Sequence, residues 1–490
     1  MSVSTGATST EIGASSGGRA ARDIAAALAL RVANLGLGIF VTLLLIRTLG
    51  DVRFGQWSTL FAVGMIAGYF GSMGLERVAV ERAAADPAHE REWLGALQTL
   101  RLTLSIPAGL VALGVLLLIS HDATMRTAAA FASIVVIGSA LSSVSVAFEL
   151  RARNRVVVAI ELLNGVAWAG VVVLVALGGG GLVALAIGFA VVSIATNLLE
   201  AGLAVRVAGI SLRGARRRWG PLLRRGVPVG IGGLLILAYG YIDQVLVYEL
   251  AGARDAGLYG AVYKVLERVQ FIPATVLVTL FPILVAARDV DPARVDRVIQ
   301  SAVDFLLITA LPPLAITLAG AEPLAVLLFG EEFRAAAPAF PILMAAFVLI
   351  SVGYLSGYLV IAYELQRRFV IYAAIALVVN VAGNLLLVPR YGFVAAAWMT
   401  LVTELLVTAL SVRAVLQRMG RRPTLRRAPL LVAAAVILFL VSLLLREAGL
   451  PIAVWIAGGL LAYVVTLFAT RALTVSELKA LARREPPEAG

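Results

Sequence analysis

Apolar runs of about 20 residues, separated by short polar connections, recur along the whole chain, and this is the length a helix needs to cross a bilayer core. The pattern predicts about fourteen spanning helices, near 24–46, 55–75, 98–119, 127–149, 156–177, 182–205, 227–249, 259–286, 301–320, 340–362, 370–388, 393–415, 429–446 and 452–470. The short alternating segments of a membrane β-barrel are absent. The expected fold is an all-α polytopic membrane protein.

The polar positions orient these helices. With the N-terminus inside, the inner connections collect arginine: RARNR at 151–155, RGARRRWGPLLRR at 213–225, QRR at 366–368 and QRMGRRPTLRR at 417–427. The outer connections hold single basic residues such as Arg126, Arg254, Arg334 and Arg390. An even number of spans then puts both termini in the cytoplasm. The expected organisation is a flexible tail (1–22), a first six-helix lobe (23–206), a basic linker (207–226), a second six-helix lobe (227–418), two additional helices (419–472) and a second tail (473–490). Residues 1–22 are rich in Ser, Thr, Gly and Ala and lack the apolar core of a cleaved signal. The linker reads as a topology determinant that meets anionic lipid headgroups.

Composition agrees with the pattern. Of 490 residues 61% are hydrophobic, against about 45–50% in soluble domains, and the mean hydropathy is +0.96. The net charge of +12 is accounted for by the inner connections, so no nucleic-acid partner is expected. With no cysteine, disulfides and thiolate metal sites are excluded. His89 and His121 lie in polar connections and read as solvated side chains, so neither a metal nor a cofactor is expected. DVD at 289–291 precedes Pro292 and reads as a helix start. No P-loop, nucleophile elbow or HExxH is present, which points to a transporter and away from an enzyme.

The two halves echo each other. GDVRFGQW (50–57) and GARDAGLY (252–259) share a Gly, four residues, Gly, one residue, aromatic pattern. FELRARNR (148–155) is echoed by YELQRRF (363–369), Asn164 by Asn380, and GGGGLVALA (178–186) by PRYGFVAAA (389–397). Ordered echoes of this kind predict a duplication. Six helices per copy is an even number, so the repeats would be parallel, related by an axis along the membrane normal.

LLLIRTLGDVRFGQWSTLF (43–61), YIDQVLVYELAGARDAGLYGAVYKVLERVQFIPATVLVTLFPIL (241–284), LLFGEEFRAAAPAFPILM (327–344) and LLLVPRYGFVAAAWMT (385–400) resemble the lipid-linked oligosaccharide and polysaccharide flippases of the multidrug/oligosaccharidyl-lipid/polysaccharide exporter superfamily. The resemblance covers nearly the whole chain. It implies a V-shaped pair of six-helix lobes around a cavity and alternating access. It also implies an anionic cargo, typically an undecaprenyl-diphosphate-linked glycan, carried to the outer leaflet of a bacterial inner membrane. Polysaccharide polymerase and chain-length machinery would be partners. The lipid II flippase, a relative with fourteen helices, and the multidrug exporters supply the alternatives. The exporters bind cations through carboxylates in the first lobe, whereas here the first helix carries Arg31.

Charge inside the bilayer costs about 2.5–3.5 kcal/mol on insertion scales, so it should face a cavity or a partner. Arg31, Lys264 and Arg268 qualify as a diphosphate site. Lys264 and Arg268 share a helix face, and Arg268 lies roughly 14 Å into its helix. Their counterparts in the first copy, Ala62 and Ile66, are uncharged. Arg offers forked hydrogen bonds to phosphate oxygens. Asp243, Glu267 and Glu404 are the candidate coupling or ion-pair carboxylates: Asp243 could pair with Lys264 or Arg268, Glu267 with a neighbouring helix, and Glu404 could couple a proton or sodium or simply be a hydrogen-bonded packing group. Asn34, Asn164, Asn197, Asn380 and Asn384 read as interhelical hydrogen-bonding residues. Within the expected spans, prolines 228, 273, 282, 312, 313 and 341 crowd the second half, against Pro107 alone in the first, and suggest that the second lobe bends more.

Overall fold

The computed structural model describes residues 9–473 except 152 and 289, with side chains from residue 36 onward except at 152, 154, 279 and 289. Among these residues the chain is helical throughout and contains no strand: α1 (Ser9–Ser72), α2 (Leu75–Ala85), α3 (Glu90–Ile119), α4 (Ala123–Gly138), α5 (Val146–Leu150), α6 (Asn154–Leu177), α7 (Leu182–Ala208), α8 (Trp219–Val269), α9 (Phe271–Ala287), α10 (Pro292–Phe329), α11 (Ala339–Ala362), α12 (Gln366–Tyr391), α13 (Phe393–Met419), α14 (Ala428–Glu447) and α15 (Ile452–Ala469). Eleven helical runs among the described residues are long and apolar enough to cross a bilayer. Counting α8 as two crossings and adding the two of α1 makes fourteen.

Those two helices are double because a glycine breaks each. Gly50 adopts φ 69°, ψ 178°, and Gly252 φ 91°, ψ 173°, a left-handed φ that side chains resist. Both flanks of the first break sit at one end of the bundle. Arg47, before it, donates from Nε to the Leu328 carbonyl at 3.1 Å, and Phe54, after it, packs edge-on against Phe333 at 6.4 Å. From there the second crossing of α1 descends past Asp122, whose carboxylate accepts from Gln56 at 2.5 Å, to Glu76 alongside Arg101.

The two broken helices meet at these turns. A methyl group on Gly55 would overlap the Ala253 carbonyl, and one on Gly257 would overlap that of Asp51. The backbones touch because neither residue carries a side chain. Arg254 closes the contact with an ion pair to Asp51 at 2.8 Å, and Asp255 caps α13 by accepting from the Phe393 amide at 3.1 Å.

Several boundaries differ from the sequence reading. Helix α1 already begins at Ser9, so residues 9–22 are helical rather than tail. Helix α3 begins at Glu90, eight residues before the apolar run, because its first two turns are amphipathic and bury Trp93, Leu94 and Leu97. The fourth span tightens to a 3-10 helix over Ser139–Ser145, where Ser139 and Ser142 bond back to carbonyls three residues earlier. The eighth span breaks at Gln270, and Pro273 lacks the amide that would bond the Val269 carbonyl across the break. The final pair packs on α10: Tyr463 donates to the Ile308 carbonyl at 3.1 Å, and Trp455 lies against Gly320, where α10 bends. The 207–226 segment is anchored at Arg218, which bonds Glu92 at 2.7 Å and lies 4.5 Å from the Trp93 ring centre.

Candidate functional site

Lys264 and Arg268 lie one turn apart on the second crossing of α8 and both turn toward α1. Arg268 donates from Nη2 to Thr42 Oγ1 at 3.1 Å. Thr42 spends its own proton on the Gly38 carbonyl at 2.7 Å, which leaves a lone pair for the arginine. The guanidinium lies close enough to Gly38 that a Cβ there would be 3.1 Å from Nη1. Its Nε is buried with no hydrogen-bond partner among the described residues. Lys264 pairs with Glu267 Oε2 at 2.8 Å, within its own helix, and its Nζ lies 4.5 Å from the Phe61 ring centre. The expected ion pair of Glu267 with a neighbouring helix is therefore corrected to one within its own helix, where the i,i+3 spacing brings Lys264 within reach, while Tyr241 on the first crossing of α8 hydrogen-bonds the same carboxylate. Arg31 lies on α1, and its side chain, like that of Asn34, is outside the described residues.

Asp243 is not an ion-pair partner of Lys264 or Arg268. It is 3% exposed and receives Asn384 Nδ2 at 2.8 Å on one oxygen and Thr400 Oγ1 at 2.9 Å on the other, with Tyr259 Oη 3.1 Å from that second oxygen. These donors come from α8, α12 and α13, so the carboxylate ties three elements of the second half together. All are neutral, and Asp243 forms no ion pair among the described residues. Glu404, on the face of α13 that meets α8, accepts from Tyr239 at 2.8 Å. Asn164 bonds Thr196, and Asn197 bonds the Gly138 carbonyl, each across a helix pair as expected.

The sequence reading missed Arg101. Starting the third span at 98 leaves Arg101 at the membrane margin, but the helix starts at Glu90 and carries it about three turns inward. It is 5% exposed and borders a cavity of about 340 Å³ in the first half. The cavity is walled by the second crossing of α1, α3, α4, α7 and Leu237 of α8, and its surface is mostly apolar. Among the described residues no group of acidic, histidine and cysteine side chains forms a metal cluster.

The buried basic and acidic groups between these helices, and the glycine-broken hairpins that carry them, define an all-helical polytopic membrane fold. Residues 44–338 match the polysaccharide biosynthesis protein family, and the chain belongs to that family. Its fold is that of the lipid II flippase MurJ in an inward closed conformation, with a TM-score of 0.70 at 11% identity over 90% of this chain and 98% of that one. An inward-facing multidrug resistance transporter of the MATE family and MOP superfamily is similar with a TM-score of 0.61 at 15% identity, covering 79% of this chain and 94% of that one. The MATE multidrug transporter DinF-BH follows at 0.58 and 15%, covering 80% and 96%. No curated protein matches the sequence.

Proposed function

We propose that this protein is an alternating-access flippase that moves an undecaprenyl-diphosphate-linked oligosaccharide from the inner to the outer leaflet of a bacterial cytoplasmic membrane, for polysaccharide biosynthesis. The observation that carries the reading is Arg268: a guanidinium at the contact between α8 and α1 that, among the described residues, is held by the Thr42 hydroxyl and has a buried Nε with no partner. Arg31 joins Lys264 and Arg268 as the diphosphate site in this reading. A bare dianion crossing hydrocarbon would cost on the order of tens of kcal/mol. Forked donors on the path replace the lost hydration, and the prenyl tail stays in lipid.

The six-helix lobes 23–206 and 227–418 are the moving bodies of the proposal, joined by the linker 207–226 and extended by 419–472. Paired glycine breaks at equivalent places in α1 and α8 support their origin by duplication, and the prolines of α8 to α11 supply bending points in the second. With both termini cytoplasmic, an inside-negative membrane potential favours outward movement of an anion, by about 2.3 kcal/mol per charge per 100 mV. Asp243 is the coupling residue of this scheme, since a buried carboxylate with only neutral partners can take up a proton or a monovalent cation. Glu404, bonded by Tyr239, and Glu267, bonded by Lys264 and Tyr241, are structural. Polymerase and chain-length machinery would receive the product.

Lipid II is the second reading, supported by the fold shared with MurJ across 98% of that chain. A cation-coupled multidrug exporter is disfavoured by the basic residues at the contact between the halves. Reconstituted vesicles decide: labelled undecaprenyl-diphosphate oligosaccharide should cross in wild type and fail to cross in Arg268→Ala protein inserted at equal density. Equal transport by the variant would remove the site, and preference for lipid II would change the cargo.

A further inference from the structure

Helix α10 carries Pro312, Pro313 and Pro323 in its interior. A proline has no amide, so the carbonyl four residues earlier loses its helical donor. These carbonyls belong to Ile308, Thr309 and Ala319. Inside a bilayer no water replaces the lost donor, and a neighbouring helix has to. Side chains of α14 and α15 reach two of the three. Tyr463 Oη on α15 donates to the Ile308 carbonyl at 3.1 Å, and Arg446 Nη1 on α14 donates to the Ala319 carbonyl at 2.5 Å. The two anchors lie roughly 16 Å apart along α10.

The second anchor adjoins a bend. Gly320 leaves helical geometry at φ −162°, ψ 59°. The buried ring of Trp455 fills the space a side chain there would take, with Cη2 2.9 Å from the position of a Cβ. The pair is itself closely joined: a Cβ on Gly459 would overlap Ser442 Oγ, which donates to the Trp455 carbonyl at 3.1 Å. Beyond the bend, α10 ends in carbonyls that its own amides cannot reach. Arg47 of α1 donates to those of Leu327 and Leu328. The segment 321–329 is thus fixed by the pair at its root and gripped by the first half at its tip.

We propose that α14 and α15 form a brace for α10. The pair supplies donors that the prolines remove, sets the angle of the outer segment 321–329, and so holds that segment where Arg47 closes the contact between the halves. This role goes beyond the flippase reading and does not depend on the cargo.

The test uses the full chain in lipid nanodiscs. Hydrogen exchange over 321–329 should rise about tenfold in Arg446→Ala, the equivalent of one stranded carbonyl, and should rise in Trp455→Ala as well. Leu461→Ala, on the exposed face of α15, should leave it unchanged. The chain has no cysteine, so spin labels can be placed cleanly at Thr124→Cys and Ala335→Cys, one exposed position on each half. Their distance distribution should broaden in Arg446→Ala. A proline cycle keeps the proposal testable should Arg446→Ala fail to fold. Tyr463→Phe should lower the unfolding midpoint, and Pro312→Ala should abolish that loss, because the restored amide serves the Ile308 carbonyl. Unchanged exchange and distances in Arg446→Ala, or an equal loss from Tyr463→Phe with and without Pro312→Ala, would overturn the brace. Failure of the wild type to move lipid-linked glycan would remove the flippase reading alone, since exchange, distances and unfolding need no cargo.

Discussion

Arg268 on α8 bonds Thr42 on α1 at 3.1 Å, and the bare Cα of Gly38 makes room for it. One side chain thus joins the two halves where each would have to move against the other. Arg268→Ala should reduce transport at least about tenfold, since truncating a buried hydrogen-bonded charge costs about 2–5 kcal/mol. Arg268→Lys should recover part of it, because a lysine keeps the charge and loses the fork. Gly38→Val should mimic the loss with Arg268 intact, by pushing the guanidinium off Thr42. Vesicle transport normalised to inserted protein reads all three.

Asp243 separates coupling from architecture. Asp243→Asn keeps an acceptor for Thr400 and Tyr259, so the fold should persist while the dependence of transport on a proton or sodium gradient disappears. Asp243→Ala strands several buried donors and should lower stability by about 1–3 kcal/mol. Thermal unfolding in detergent, set beside transport under imposed gradients, distinguishes the two variants.

Gly55 and Gly257 leave no space for a side chain. Gly55→Ala and Gly257→Ala should each destabilise the protein by about 1–3 kcal/mol, the usual cost of overpacking, because the obstacle is backbone carbonyl and cannot rotate away. Gly36, where an added Cβ meets nothing within 4 Å, is the control. Unfolding midpoints of the three variants check the ranking.

Asp86 lies between α2 and α3, hydrogen-bonded to His89 Nδ1 at 2.9 Å, with Arg218 3.7 Å away. The bond to His89, helped by Trp93 and the charge of Arg218, holds the carboxyl below its ordinary 3.8. A depressed carboxylate pKa stabilises the folded state above the unfolded value, and the contribution is lost as pH falls through the folded pKa. The anchorage of the 207–226 segment should therefore loosen below about pH 3.8, and Asp86→Asn should remove that dependence. Arg218→Ala should loosen the segment already at neutral pH. Hydrogen exchange over 207–226 is the measurement.

The fourteen crossings were legible because each is an apolar run of spanning length, and the turns at Gly50 and Gly252 because glycine at fixed spacing marks a reversal. The partners of the buried charges were not. Asp243 is a carboxylate in an apolar run, and nothing in its neighbourhood of sequence reveals that Asn384 and Thr400, about 140 and 157 positions away, supply its hydrogen bonds. Arg101 was hidden for a different reason. An amphipathic helix entry looks like a loop to a hydropathy count, which begins the span at 98 and places the arginine at its margin.

The contact between the turns is reciprocal. Gly55 meets the backbone of Ala253 and Gly257, and Gly257 meets that of Asp51 and Gly55. A patch that recognises its own counterpart in this exchanged manner is what a twofold dimer uses. The two turns are therefore each other's complement, and their backbone contact fixes the register of α1 against α8.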